Sequence, residues 1–188
     1  MMNLKYKITF YSDWHCGSGL AAGADVDALV VKDKNGLPFV PGKTIKGLVK
    51  ESIETLCFLK GCNKDDKIKK TLGNFDDKED KQQGSAFFKN AMLSEQEQNA
   101  IIFNKAQEYL YRNVSSTAIE DDGIAKEHSL RRIETVVPCD MFGEITDIPD
   151  DIVEEFKESL QLIKRLGVNR NRGLGRCKFT VMEQEDAK

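Results

Sequence analysis

Two helical stripes of apolar residues, far apart in the chain, most constrain what this sequence can fold into. The first helix begins after Pro41-Gly42 and should end near Gly61, and the second follows Pro149. The apolar positions recur every three or four residues: Ile45, Leu48, Val49, Ile53 and Leu56 in the first helix, and Ile152, Phe156, Leu160, Ile163 and Leu166 in the second. This spacing is typical of a helix with one buried face. Each helix therefore needs a partner layer that covers its stripe.

Segments with strand character flank both helices. Between Leu4 and Phe10 apolar and polar residues alternate, as in a strand with one buried face. The other predicted strands are Gly84 to Leu93, Leu130 to Thr146 and Cys177 to Val181, and Glu95 to Tyr111 is predicted as an additional helix. The order predicts an α+β fold of the β-α-β-β-α-β type, a ferredoxin-like or RNA-recognition-motif-like sandwich. Such a sheet leaves one face open, and single-stranded RNA commonly lies across it.

The length of 188 residues with 40% hydrophobic residues indicates a single domain over 1–188 with two insertions. The first insertion, about 61–84, contains the charged and poorly periodic segment Asn63 to Gln83, which we expect to be mobile. The second, about 113–128, carries Asp121-Asp122-Gly123, a good hairpin turn between short strand-like arms.

Composition excludes several classes of protein. No apolar run is long enough to cross a bilayer and no secretion signal is recognisable, so we expect a cytoplasmic protein without a membrane partner. The five cysteines are scattered and never form a C-x-x-C pair, which argues against a disulfide framework or a zinc site. The net charge of −3 excludes a uniformly basic coat, but a local binding groove needs only local segregation of charge.

Such segregation is strongest near the end of the chain. From Ser159 to Met182 there are six basic residues and no acidic one. Within this stretch glycines and arginines alternate in a turn that we call the Gly-Arg turn (residues 167–176), with Arg170, Arg172, Gly173, Gly175 and Arg176 as candidate RNA-binding residues. Glycine lets a backbone approach phosphates closely, and guanidinium groups bind phosphates with two donors. The alternative is a tight helix-to-strand turn with solvated arginines.

The start of the first helix carries Gly42-Lys43-Thr44, which superficially resembles a nucleotide-binding P-loop. Five residues separate Gly36 from Gly42 where a P-loop has four, so we do not expect an ATP site. The free amides at a helix start, with Lys43, Thr44 and Lys46, could instead bind one phosphate of a longer chain. Gly47 then reflects either the close approach of a nucleotide or close packing of helix on sheet.

The glycine-flanked loop before this helix contains two candidate catalytic acids, Asp25 and Asp27. A carboxylate beside an RNA-binding face can hold Mg²⁺ or Mn²⁺, which stabilises the charge that develops on a phosphate under attack by the neighbouring 2′-hydroxyl. Acids in loops are, however, usually only solvated. Upstream, His15 is a further candidate RNA-binding residue, which could act as a general base or could be a hydrogen-bonded structural residue.

The hairpin region Val114 to Lys126 is followed by two candidate RNA-binding residues, Arg131 and Arg132. A protruding arm with a basic base could wedge between nucleotides or touch a neighbouring subunit. An ordinary surface loop with ion pairs would have the same sequence pattern.

Together these segments resemble the RAMP (repeat-associated mysterious protein) superfamily of CRISPR systems, and within it the crRNA-binding backbone subunits of type III effector complexes. The likeness spans about residues 4 to 182. It rests on three motifs: His15-Cys16-Gly17-Ser18-Gly19; Asp27 to Asp33 running into Leu37-Pro38-Phe39-Val40-Pro41-Gly42-Lys43-Thr44-Ile45-Lys46-Gly47; and Arg172-Gly173-Leu174-Gly175-Arg176. The middle motif is the most specific.

The resemblance implies that copies of the chain stack along the crRNA beside other effector subunits. A thumb-like hairpin, here Val114 to Lys126, would displace a base at intervals. In cleaving relatives an aspartate before the Leu-Pro-x-x-Pro-Gly segment cuts target RNA with a divalent ion, and by position this residue is Asp27, with Asp25 as the fallback. The resemblance also implies guide contacts from Thr44, Lys46 and Lys50.

Our hypothesis from the sequence is a guide-binding backbone subunit that also cleaves target RNA through Asp27. Three alternatives remain open. The chain could be a purely structural crRNA-binding subunit, a metal-independent enzyme that trims precursor crRNA with His15 and the Gly-Arg turn, or an RNA-binding module outside CRISPR.

Overall fold

An antiparallel sheet covered on one face by helices forms the frame of the protein. The computed structural model describes residues 1–23, 25–61, 65–74 and 82–182. The elements in chain order are β1 (Met2–Phe10), α1 (Gly42–Lys60), α2 (Asp65–Leu72), β2 (Gly73–Asn74), β3 (Gln82–Gln83), β4 (Phe87–Phe88), α3 (Glu95–Phe103), a 3₁₀ turn (Gln107–Leu110), β5 (Tyr111–Ser116), β6 (Arg131–Val136), β7 (Asp140–Ile148), a 3₁₀ turn (Asp150–Ile152), α4 (Val153–Leu162) and β8 (Cys177–Met182).

The main sheet has the strand order β4-β7-β1-β8, and all its neighbours pair antiparallel. Taken with α1 and α4 as the two crossovers, this is the ferredoxin-like β-α-β-β-α-β topology that the sequence predicts. Strand β1 lies in the centre because its alternating residues serve both faces: Tyr6 and Ile8 are fully buried, whereas Lys5 is exposed. The fold class is therefore confirmed.

Both predicted helical stripes are buried in one continuous core with the inner face of the sheet. Ile45, Val49 and Ile53 of α1 are completely buried, and so are Phe156 and Leu160 of α4. Helix α1 ends where the sequence indicates, because Gly61 adopts a left-handed conformation (φ 62°) and donates its amide to the Cys57 carbonyl.

Two predicted elements are shorter than expected. The strand over Gly84 to Leu93 reduces to Phe87–Phe88, followed by isolated bridges from Ala91 to Val40 and from Met92 to Phe142. The helix over Glu95 to Tyr111 ends at Phe103. Its capping box at Ser94 and Glu97 starts the helix, but α3 buries none of its residues, so no packing extends it.

The first insertion contains regular structure. Helix α2 lies within the segment Asn63 to Gln83 and buries Ile68 and Leu72, and the mobility of this segment stays a prediction. Residues 63–64 and 75–81 of this segment lie outside the described residues. In this highly charged segment, Ile68 and Leu72, four residues apart, are too short a pattern to predict a helix with a buried face.

The second insertion is part of a hairpin longer than predicted, because Arg131–Val136 of the predicted strand Leu130 to Thr146 pairs with β5 outside the main sheet and only Asp140–Ile148 joins that sheet. Strands β5 and β6 pair from Tyr111↔Val136 to Ser116↔Arg131. A further bridge joins Ile119 to Ala125 near the turn, where Gly123 has φ 83°. We call residues 111–136 the thumb hairpin. Across the part of the chain that the structure describes, no helix combines the length and apolarity needed to span a bilayer.

Candidate nucleic-acid interface

The Gly-Arg turn is anchored at both ends to the segment that follows β1. The amide of Val168 donates to the His15 carbonyl at 2.9 Å, and the amide of Gly175 donates to the Asp13 carbonyl at 2.8 Å. Next to it, the Arg176 amide donates to Ser12 Oγ at 3.0 Å. The backbone of the turn is thus held in a fixed place, which leaves its arginine side chains on the surface.

The two predicted glycines of this turn have different roles. A Cβ at Gly175, which has φ 67°, would lie 1.8 Å from the Leu166 carbonyl oxygen, so this glycine allows close packing within the protein. This corrects the expectation that Gly175 lets the backbone approach a phosphate. Gly173 has φ 90° and open space around it, as an RNA-facing position requires.

A cleft of about 360 Å³ joins three segments that are distant in the sequence. Its walls are the loop after β1, the first turns of α1 and the Gly-Arg turn, and its lining includes His15, Gly17, Lys43, Thr44, Gly47, Gly167, Val168 and Arg170. Four of the predicted RNA-binding residues, His15, Lys43, Thr44 and Arg170, therefore share one cleft. The exposed cations Lys43 and Arg170 enter it from different walls.

The amides at the start of α1 are less available than the sequence suggested. The Gly42 amide donates to Asn90 Oδ1 at 2.9 Å, and the Thr44 amide donates to the Pro41 carbonyl at 2.9 Å. Gly42 also packs tightly on β4, since a Cβ there would lie 2.0 Å from the Phe88 carbonyl oxygen. The charge that this helix start offers to an anion is therefore mainly that of the Lys43 side chain.

Gly47 faces the cleft and has no packing neighbour. A Cβ at this position would meet nothing within 4 Å, and the residue is exposed. The alternative of close helix-to-sheet packing is therefore wrong. A glycine inside a helix costs about 1 kcal/mol relative to alanine, and packing within the described chain does not compensate that cost.

The other predicted cations of α1 and of the Gly-Arg turn lie outside the described lining of the cleft. Lys46 and Lys50 are half-buried on α1, where Lys50 Nζ lies 4.0 Å from Glu54. Arg172 and Arg176 are exposed on the Gly-Arg turn. Arg170 also borders the adjoining groove between α1 and the end of α4, where its guanidinium lies 3.8 Å from Glu51.

His15 is held as a structural residue. Its side chain is buried, and its Nδ1 lies 2.6 Å from the Glu134 carbonyl oxygen. Because a carbonyl can only accept, Nδ1 carries the hydrogen, and in a neutral ring Nε2 is then the acceptor. This geometry favours the structural role over that of a general base, and it weakens the case for a metal-independent trimming enzyme.

Sequence reasoning missed Glu134, which connects the thumb hairpin to Val30 and Lys32 in the loop before α1. Its Oε2 accepts from the Val30 amide at 3.0 Å, and its Oε1 accepts from Lys32 Nζ at 2.8 Å. Lys32 Nζ also lies 3.8 Å from the centre of the Tyr111 ring. Burial, with Glu134 and Asp33 nearby, raises the pKa of Tyr111 well above its ordinary value. In the sequence Glu134 follows Arg131-Arg132-Ile133 and has no feature that distinguishes it from a solvated strand residue.

Asp27 lies against strand β6 of the thumb hairpin, at Arg132. Its Oδ2 accepts from the Arg132 amide at 2.7 Å, and its own amide donates to the Arg132 carbonyl at 2.8 Å. The residue is exposed, and within the described ranges no bond is found to Oδ1. Asp25 is exposed in the preceding turn. Arg131 and Arg132 are exposed beside this acid.

The donor set at Asp27 fits a hydrated divalent ion but not a fully protein-bound one. Among the residues described, no group of three or more histidine, cysteine or acidic side chains could hold a metal. Mg²⁺ is often held by one or two carboxylates, with water and substrate phosphates supplying the other ligands. The exposed Oδ1 of Asp27 suits that arrangement.

Comparison with known proteins supports this architecture. A chain of the cryo-EM structure of the type III-B Cmr-beta bound to cognate target RNA superposes with a TM-score of 0.72 at 12% identity, covering 96% of this chain and 97% of that chain. A chain of the type III-B Cmr-beta cryo-EM structure of the apo state gives 0.72 at 13% identity, covering 97% and 98%. At these identities the likeness shows the fold. No curated protein sequence matches the chain. The sequence profile of the RAMP superfamily matches residues 7–178, and the chain therefore belongs to the RAMP superfamily.

Proposed function

We propose that this protein is a crRNA-binding backbone subunit of a type III CRISPR effector complex. The observation that carries the proposal is the cleft where Lys43 and Thr44 of α1 meet Arg170 of the Gly-Arg turn. Membership of the RAMP superfamily and a fold shared with chains of Cmr-beta complexes support it. One of those complexes is bound to target RNA.

The chemistry of the cleft suits a ribose-phosphate chain. Lys43 offers a point charge and Arg170 a planar donor pair, and the two come from different walls. Gly47 leaves room for a sugar or phosphate at the helix surface, because nothing occupies the space of its absent side chain. Arg172 and Arg176 extend the basic surface beyond the cleft.

The thumb hairpin supplies a second contact with RNA and with neighbouring copies. Three large apolar side chains of the hairpin are exposed: Ile119 (70%), Ile124 (66%) and Leu130 (63%). Apolar side chains that protrude in this way can insert between bases and unstack them. Arg131 and Arg132 would hold the phosphates beside the unstacked base, and copies stacked along the guide would repeat the contact.

We further propose that Asp27 cleaves target RNA with Mg²⁺ or Mn²⁺. The ion, when bound, would stabilise negative charge on the scissile phosphate. Asp27 would hold it through Oδ1 while Oδ2 stays bonded to the Arg132 amide, so the thumb hairpin would fix the acid relative to the displaced base. Asp25, two residues away, is the fallback ligand.

One observation favours a second candidate, a structural subunit without cleavage. The bond from the Arg132 amide gives Asp27 a role in holding the hairpin that needs no metal. The two candidates share the guide-binding role and differ only in the chemistry at this carboxylate.

Guide binding is tested by the salt dependence of affinity. Anisotropy of a labelled single-stranded RNA should be measured for the wild type and for Lys43→Ala combined with Arg170→Ala, over a range of salt concentrations. On single strands each phosphate that a cation neutralises adds about 0.7 to the log-log slope, so the double variant should be shallower by about 1.4. Lys34→Ala, which removes an exposed cation outside the cleft lining, is the matched control and should keep the slope. An unchanged slope in the double variant contradicts the proposal.

Cleavage is tested in the assembled complex with matched asparagine variants. Asp27→Asn keeps an oxygen acceptor for the Arg132 amide but loses the charge that holds a cation. If Asp27 is catalytic, complexes carrying this variant keep RNA affinity and lose Mg²⁺-dependent cutting. Asp25→Asn should reduce cutting less. Cutting that continues in Asp27→Asn at the wild-type rate leaves the structural candidate.

A further inference from the structure

A second cleft, of about 890 Å³, runs along β8 and α4, outside the cleft at the start of α1. Its lining includes Leu4 and Met2 of β1, Phe179 and Val181 of β8, and Val153 of α4. Strand β8 is the last strand of the main sheet in the order β4-β7-β1-β8. This cleft therefore follows a sheet edge, and its lining mixes these apolar residues with polar ones, Asn3, Gln161, Thr180 and three lysines.

The backbone of β8 presents free donors and acceptors to this cleft. The Cys177 amide donates to the Lys164 carbonyl and so points away from β1. In an antiparallel strand alternate residues direct both backbone groups to the same side, so Phe179 and Val181 also point away from β1. Within the described residues no hydrogen bond to these outward groups is found. Residues 164–166 run beside the start of β8 and form one isolated antiparallel bridge there, Arg165↔Arg176. The rest of the outer edge of β8 pairs with no strand of the described chain.

Lysines flank the open edge on both faces of the sheet. Lys157 and Lys164 lie on the helix side, and Lys178 pairs in register with Thr9 on the opposite face. No acidic residue of the described chain lines the cleft. Lys157 does lie 2.7 Å from Glu154, which is exposed outside the cleft lining. Lys164 and Lys178 therefore place positive charge on both faces of the sheet beside the open outer edge of β8.

We propose that this edge receives an extended acidic segment of a partner protein, which adds to the sheet as a strand beside β8. Backbone pairing with Phe179 and Val181 gives such a segment its register, and its alternating side chains reach the lysines on either face. A peptide suits this cleft better than RNA does, because the open edge of β8 offers backbone donors and acceptors that match another extended polypeptide backbone, and Phe179 and Val181 offer apolar surface to its side chains. Three exposed arginines, Arg170, Arg172 and Arg176, lie instead on the Gly-Arg turn before β8.

The test uses the isolated chain and a defined peptide probe. The probe is a capped peptide of two Glu-Glu-Val-Thr repeats, which places acids on both faces of a strand, and the control peptide has lysine in place of glutamate. Binding is measured by anisotropy, and protection of the Phe179 and Val181 amides by hydrogen exchange. Lys164→Glu combined with Lys178→Glu should weaken the acidic probe at least about tenfold, as reversal of two exposed attractions implies.

Val181→Pro separates strand addition from simple charge attraction. It removes an amide that points away from β1, and proline is tolerated on edge strands. Its folding is checked by thermal melting, and Lys34→Glu serves as the charge control. The proposal is supported when the acidic probe protects both amides and loses affinity in both the proline and the charge-reversed variants.

Three outcomes overturn the proposal. The acidic probe could fail to bind, it could bind Val181→Pro as tightly as the wild type, or a ten-nucleotide RNA could protect the two amides where the peptide does not. None of these three outcomes depends on RNA binding at the cleft beside Lys43. The proposed guide-binding function is therefore tested separately.

Discussion

Asp27 and Arg132 are joined by two hydrogen bonds, one between their backbones at 2.8 Å and one from the Arg132 amide to the Asp27 carboxylate at 2.7 Å. The acid that the sequence motif singles out is thus attached to strand β6 of the thumb hairpin. A movement of the hairpin would therefore move this carboxylate as well.

The first prediction concerns the stability of this junction. Asp27→Ala removes the acceptor of the Arg132 amide and should lower the free energy of unfolding by about 1 kcal/mol, the usual contribution of one hydrogen bond. Asp27→Asn keeps an oxygen in place and should lose less than half of that. Urea unfolding of the isolated chain measures both, and hydrogen exchange at the Arg132 amide should be faster in the alanine variant alone. Equal losses of unfolding free energy in Asp27→Ala and Asp27→Asn would show that the hydrogen bond from the Arg132 amide contributes little to stability.

The second prediction concerns Glu134, whose side chain is only 12% exposed. Glu134→Ala leaves the Val30 amide and Lys32 without their acceptor and should lower the free energy of unfolding by about 2 kcal/mol, since bonds to charged groups are worth more than neutral ones. Glu134→Gln should recover part of the loss through Val30. The matched control is Glu144→Ala, which removes a pair with the half-exposed Lys89 and should cost roughly 0.5 kcal/mol. Chemical denaturation compares the three variants, and a loss at Glu134 no larger than that at Glu144 contradicts the assigned role.

The topology could be predicted because its signals are local and strong. The alternation in β1 and the stripes of α1 and α4 all follow from residues that are buried on one face, such as Tyr6, Ile53 and Phe156. The length of β4 and of α3 could not be predicted, because both depend on tertiary contacts. Ala91 and Met92 pair singly with Val40 and Phe142, and α3 has no buried face to extend.

The sequence predicted candidate site residues where glycines and cations cluster. It did not predict contacts between a site residue and a group from another part of the chain. Lys43 and Arg170, each a candidate RNA-binding residue from the sequence, line the same cleft. The contact of Gly175 with Leu166 and the capping of Gly42 by Asn90 depend on chain crossings that no local pattern encodes. The bonds of Glu134 to the Val30 amide and to Lys32 also join distant parts of the chain, and no local pattern encodes them.

The third prediction separates the two glycines of the Gly-Arg turn. Gly175→Ala forces a Cβ against the Leu166 carbonyl and should cost roughly 3 kcal/mol or more, because the clash adds to the strain of a positive φ. Gly173→Ala meets open space and should cost only about 1 kcal/mol, from the backbone conformation alone. Thermal unfolding of the two variants distinguishes them. Similar losses at both positions would mean that Leu166 can move aside.

The fourth prediction concerns alkaline pH. Burial raises the pKa of Cys16 and of Cys177 from 9.0 to about 12. Both thiols stay protonated in the folded state while the unfolded chain ionises, so their contribution is complete below pH 9 and declines between pH 9 and about 12. The free energy of unfolding should therefore fall as pH rises from 8.5 to 10, by at most about 1.4 kcal/mol per thiol and pH unit. Urea unfolding at several pH values measures the slope, and Cys16→Ala with Cys177→Ala should flatten it. A slope that is unchanged in the double variant would assign the effect to other groups.

The fifth prediction uses Gly47 to ask whether the cleft beside Lys43 holds RNA. Alanine fits without a clash and favours the helix, so Gly47→Ala should raise the free energy of unfolding by about 1 kcal/mol. The added methyl group would narrow the cleft, so affinity for single-stranded RNA should fall at the same time. A stabilised protein with weaker RNA binding is not expected from a purely structural position, because damage to the fold would lower both quantities. Chemical unfolding and RNA anisotropy, measured on one preparation of Gly47→Ala, give the two quantities. A stabilised variant with wild-type affinity for RNA would show that RNA does not contact α1 at this turn.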